Sequence, residues 1–191
     1  MQTTGQDVLD FWFDDAHAAH WFVASAPFDA QIRERFADAM QQAADGRLED
    51  WATTPTGWLA LLILLDQFPR NLYRHDPLAW ATDHAAQRIA LSGLSRGDDR
   101  QLPAIQRVFA YLPLEHAENR ALQQHSVELF ELLRADVPAE SWGKFDGFLD
   151  YARRHREVVE RFGRFPHRNA VLGRTSSADE MAYLAQPGAG F

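Results

Sequence analysis

Apolar residues recur at helical spacing along almost the whole chain, and no segment shows the alternation of a half-buried strand. Phe28, Ile32, Phe36 and Met40 fall every four residues. They form one stripe of an amphipathic helix of about four turns, with Asp29 as its expected N-cap and Gly46 as its stop. A short first helix is predicted over residues 7–14, where Val8, Leu9, Phe11, Trp12 and Phe13 make a broad apolar face. Thr54-Pro55-Thr56 opens a segment that is apolar on every side as far as Gln67, so it belongs at the centre of the packing. Pro69 is expected to end it. Further helices are predicted from Asp76-Pro77 to Ser92-Gly93, from Pro103 to Pro113, over residues 117–134, and from Pro138 to Gly163. A capping box at Ser177 and Glu180 starts a last one. About eight helices with short connections describe an all-α chain. Length suggests one domain over residues 1–191, with residues 186–191 a frayed tail.

Composition narrows the chemistry. The 191 residues hold 27 acidic against 19 basic side chains, a net charge of −8, and no cysteine. That excludes a thiol nucleophile, a disulfide framework, a cysteine-ligated zinc site and an iron–sulfur cluster. Lys144 is the only lysine, so a Schiff-base mechanism would rest on it alone. The acidic balance argues against nucleic acid as a partner. The beginning lacks a secretory or transit pattern, and the apolar run at residues 58–65 falls well short of the roughly 20 needed to span a bilayer. A cytoplasmic protein without a membrane partner is the expectation. No phosphate-cradling glycine loop and no nucleophile elbow occurs. His17 and His20 beside Asp14 and Asp15 only imitate a metal site, so neither a metal nor a cofactor is expected.

Three polar clusters stand out. In LLDQFPRNLYR, Asp66, Gln67, Arg70 and Asn71 follow the apolar segment within six positions. Asp66 and Gln67, on the last helical turn, should face a cleft or solvent. Arg70 either pairs with Asp66 and screens the helix end, or helps present a guanidinium and two amides to a ligand. In LPLEHAENR, Glu115, His116 and Glu118 are read as lying at a helix start after Pro113. They suit either the helix dipole or an acid–base pair formed by His116 and Glu118. Residues 151–174 hold seven arginines against Glu157 and Glu160. Arg164, His167, Arg168 and Asn169 there surround a second Phe-Pro turn that echoes the first, Phe68-Pro-Arg-Asn71. Guanidiniums gathered in a turn need a carboxylate partner, inside the chain or on a ligand.

Taken together, VLDFWF, LLDQFPRNLYR, LPLEHAE and RFGRFPHRN..LGR resemble the bacterial domain-of-unknown-function family 924, in order and over essentially the whole chain. The resemblance implies a tetratricopeptide-like superhelical fold in antiparallel helical pairs, although the roughly 34-residue period of such repeats is not visible. It also implies a polar signature at Asp66, Gln67, Arg70, Asn71, His116, Glu118, Arg164, His167, Arg168 and Asn169. Ala117 and Asn119 stand where the family pattern has Ser and Asp, which removes a hydroxyl and a carboxylate. Two functions follow as expectations. One is a site on a concave face for a small anionic or carboxylate-bearing molecule, with His116 and Glu118 in acid–base, hydrolase-like chemistry. The other is a non-catalytic module that clamps a peptide carboxylate.

Overall fold

Short polar side chains set the helix starts. In a computed structural model of the protein, which describes residues 3–190, Thr4 and Asp7 form a capping box for α1 (Gly5–Trp12). The Ser25 side chain caps α2 (Ala26–Ala44), so Asp29 lies inside the first turn instead of capping it. Thr54 caps α3 (Pro55–Leu62), which passes into a π-helical turn at Ile63–Gln67 and then into α4 (Phe68–Leu72). Pro69 therefore lies within the helical run and does not end it. Asp76 and Pro77 open only a short 3-10 turn; α5 (Asp83–Arg96) follows and ends at Gly97, whose positive φ of 74° suits glycine.

Gly93, expected as a stop, is inside α5 because Trp58 needs the space. A methyl group at Gly93 would lie 2.2 Å from the Trp58 indole. Trp58 is fully buried and donates its Nε1–H to the Ile89 carbonyl. α6 (Ala104–Glu115) carries Pro113 inside it. Asn119 caps α7 (Arg120–Asp136), α8 spans Trp142–Phe162 and stops at Gly163 (φ 73°), and Ser177 with Glu180 caps α9 (Ala178–Leu184) as the sequence predicts. Among the described residues there is no strand, and no helix is long and apolar enough to cross a membrane.

The chain divides into two units, residues 1–113 and 114–191. The first is organised around aromatic rings. Trp12 meets Phe68 and Phe109 edge-on with ring centroids 5.6 Å apart, and Phe11 stacks on Phe28 at 5.3 Å. The helical run over residues 58–65 is buried throughout, as its uniform hydropathy requires.

In the second unit α7 and α8 run antiparallel. Arg120 meets the Glu160 carbonyl, Gln124 meets Arg156, Glu131 meets Arg153, and Arg134 meets Asp146, so positions advance along one helix as they retreat along the other. Between these polar edges the pair buries Val127, Phe130 and Leu133 of α7 and Phe145, Leu149 and Ala152 of α8. Val158, Val159 and Phe165 form a further cluster that Phe162 and Tyr183 cover.

Candidate functional site

The first polar cluster is built inside unit 1 by the π turn. Asp66 and Gln67, expected to face a cleft or solvent, are 1% and 4% exposed. Gln67 donates its amide to the Asp66 carboxylate at 2.6 Å. Arg70 reaches Asp66 Oδ1 at 3.2 Å and spans both oxygens of Asp83 at 2.9 and 3.0 Å. Burial disfavours the Arg70 cation, yet Asp66 and Asp83 outweigh it and raise its pKa further. Asn71 donates to Asp29, which also takes a two-pronged ion pair from Arg74. Gln67, Arg70 and Asn71 thus meet carboxylates of the same unit: Asp66, and Asp29 and Asp83, which the sequence reading did not connect with them.

The second and third clusters come together in unit 2. Glu115 and His116 sit at the C-terminal end of α6 and in the connection that follows, not at a helix start, so complementing a positive helix end does not explain Glu115. Gln123 of α7, fully buried, donates to the Glu115 carbonyl at 2.5 Å and the Ala117 carbonyl at 2.8 Å and so pins this connection. Glu118 accepts the Phe165 N–H at 2.8 Å and both terminal nitrogens of Arg174 at 2.6 and 2.9 Å. Burial pushes the Glu118 carboxyl up, but these donors, with the Arg174 and Arg168 charges, hold it below the usual glutamate value. Glu118 is therefore an ionised anchor that ties the α6–α7 connection to the second Phe-Pro turn.

Arg164 grips Glu180 with two hydrogen bonds of 2.7 and 2.8 Å. Those bonds and the Ser177 N–H bring the Glu180 carboxyl down to about 2. Asn169, fully buried, donates to Ser176. Arg168, only 5% exposed, lays its guanidinium 4.4 Å over the Phe165 ring and donates to the His116 carbonyl at 3.1 Å.

His155, on the buried stripe of α8 with Ala152 and Val159, is the residue the sequence reading missed. Its Nδ1 lies 2.8 Å from the Tyr151 carbonyl and 3.2 Å from Glu115 Oε1. A carbonyl only accepts, so Nδ1 carries the proton and Nε2 the lone pair. Burial, followed by the neighbouring His116 and by the Arg168 and His167 charges against the Tyr151 bond, brings its pKa down to about 2. The half-buried His116 ring stands 6.1 Å away edge-on, and Phe165 packs against His155 at 5.5 Å. His167 has its ring 5.7 Å from Phe165 and its pKa lowered to about 4, chiefly by burial and the adjacent Arg168. His155, His167 and the Arg168 guanidinium thus pack on the Phe165 ring, His116 and Glu115 stand beside His155, and Glu118 and Arg174 hold the Phe165 backbone. Among the described residues no group of three potential ligands is arranged to hold a metal ion.

Residues 8–188 match the model of a family described as bacterial proteins of unknown function, DUF924. The chain belongs to the DUF924 family. A solved structure of a protein of unknown function, ATU0120 from Agrobacterium tumefaciens, is similar at 40% identity and a TM-score of 0.85, covering 95% of this chain and 96% of that one. No curated protein matches. Membership of DUF924, a family of unknown function, leaves the chemistry to be argued from the side chains. The signal that would have found His155 is its spacing, since a histidine three residues from Ala152 and four from Val159 is on the face that the helix buries.

Proposed function

We propose that unit 2 of this DUF924 protein is an acid–base site for a small molecule bearing a carboxylate or comparable anionic group. The observation that carries the reading is the Glu115–His155–His116 arrangement: a neutral imidazole with its tautomer set by a carbonyl and a carboxylate, its ring facing a second, half-buried imidazole. In this reading Arg168 supplies positive charge beside the ligand and His116 carries the proton. His155 stays neutral and orients His116, and Glu118 holds the connection in place through Arg174 and the Phe165 N–H. The role expected for Glu118 thereby changes from proton transfer to anchoring, because a carboxylate saturated by a guanidinium and a backbone donor is a poor base. The tetratricopeptide-like scaffold that the family resemblance implies is the proposed frame, with the antiparallel α7–α8 pair as its repeating kind of unit.

A panel of small mono- and dicarboxylic acids, followed by ligand-observed NMR and calorimetry, tests this. Binding is expected for a subset, with His116→Ala lowering affinity at least tenfold and leaving the unfolding temperature nearly unchanged. The peptide-carboxylate clamp needs no imidazole pair. Unaltered binding by the His116→Ala protein, or tight binding confined to peptides, would favour it and overturn the acid–base reading.

A further inference from the structure

The segment after α9 does not simply leave the surface. Gln186 N–H returns to the Tyr183 carbonyl and Ala189 N–H to the Gln186 carbonyl, folding residues 186–190 into successive turns, with Ala189 and Gly190 half-buried. Gly188 and Gly190 have φ of 76° and 93°, conformations that a side chain strains. Gly190 lies against the His167 imidazole: a methyl group there would be 3.4 Å from His167 Cβ and 3.6 Å from Cγ. Residues 186–189 also line a groove together with Arg154, Glu157, Val158 and Tyr183. The contact with His167 is therefore made by a residue without a side chain, and no side-chain hydrogen bond of residues 186–190 is among those of the described structure.

We infer that residues 186–190 are a glycine-hinged strap that closes the histidine centre of unit 2 over His167 and opens to admit its ligand. The inference rests on the reading of unit 2 as a ligand site and adds its gate. A strap suits this place because Gly190 lies on His167, so a ligand can meet the covered side of that imidazole only after something moves. Two positive-φ glycines let the backbone swing about two points, while α9 stays docked through Tyr183 on Phe162 and Glu180 on Arg164. The groups whose charges reach His167 are Arg168, Glu118, Arg174 and His116. None belongs to the strap, so opening changes the access of water to His167 without removing a charged partner.

The test uses the full chain with Gly190→Val, whose branched side chain strains the φ of 93° that this residue adopts beside His167, and a second variant ended after Ala185. No ligand is added. Each is followed by NMR titration of His167 and by the rate of its carbethoxylation, with His155 as the internal control. In the native chain His167 should titrate near 4 and react slowly. Opening the strap should move its midpoint up by at least one pH unit and speed its modification at least fivefold, while His155 keeps its native behaviour. An unchanged midpoint and rate in both variants would overturn the strap. So would loss of cooperative folding in both, since the segment would then be core. Because the readout needs no ligand, failure of the carboxylate screen and failure of the strap are distinguishable.

Discussion

Arg70 faces two carboxylates with a side chain 19% exposed, and that geometry decides what its removal does. Arg70→Met leaves Asp66 and Asp83 close together without their shared guanidinium. Breaking an ion pair of this burial costs about 3 kcal/mol, and urea denaturation of the variant should show a loss of that order. A variant as stable as the native chain would mean that Arg70 is held for a ligand instead. The same distinction runs through the other arginines. Arg74 is committed to Asp29, Arg164 to Glu180 and Arg174 to Glu118, each pair inside one unit. From sequence, Arg70, Arg164, Arg168 and their neighbours were legible as guanidiniums needing carboxylates. Asp66, four residues before Arg70, was legible as one partner; the others were not, because Asp83, Asp29 and Glu180 lie 13, 45 and 16 residues from the arginines they meet.

At the scale of elements, the π turn explains how a helix runs through Pro69. Proline has no N–H to give the Leu65 carbonyl four residues back, and a buried carbonyl left alone is costly. The Thr82 hydroxyl donates to it at 2.5 Å, and Phe68 N–H reaches back five residues to Ile63. Thr82→Val should therefore cost about 1–2 kcal/mol in equilibrium unfolding. Adding Pro69→Ala should recover part of that loss by restoring a backbone donor; strictly additive losses would contradict the account. Helix existence was legible from the four-residue spacing of Phe28, Ile32, Phe36 and Met40 and from the Ser177 capping box. Boundaries were not legible where proline was read as a stop. Pro69 and Pro113 both lie within helical runs, and the second error moved Glu115 and His116 from a helix start to a helix end. His155 was hidden for a different reason: a polar residue on an apolar stripe carries no motif of its own.

For the whole molecule, pH is the most economical probe of the histidine centre. His155 and His167 have folded pKa values of about 2 and about 4, below the 6.5 of an unfolded histidine. As pH falls below 6.5 the unfolded chain takes up protons that the native centre refuses, so stability declines, by about 1.4 kcal/mol per pH unit for each histidine. Glu118 and Glu180, both held below 4.5, act in the same direction at lower pH: their contribution is present above 4.5 and is lost as pH falls through their depressed values. Denaturation between pH 6 and 4.5 should thus show a steep acid slope that His167→Gln reduces by about one proton's worth. An unchanged slope would mean that His167 is solvated in the native state.

In the proposed function His155 is a neutral, Nδ1-protonated imidazole working with His116 at a site for small carboxylates. Nitrogen-15 NMR of the histidine rings, recorded at pH 7 and then during titration with a carboxylic acid that binds, tests it most directly. The account predicts the Nδ1–H tautomer for His155 and ligand-induced shifts at His116 and His155, with His17 and His20 of the first unit unmoved. A protonated or Nε2–H His155, or shifts confined to histidines of the first unit, would contradict it.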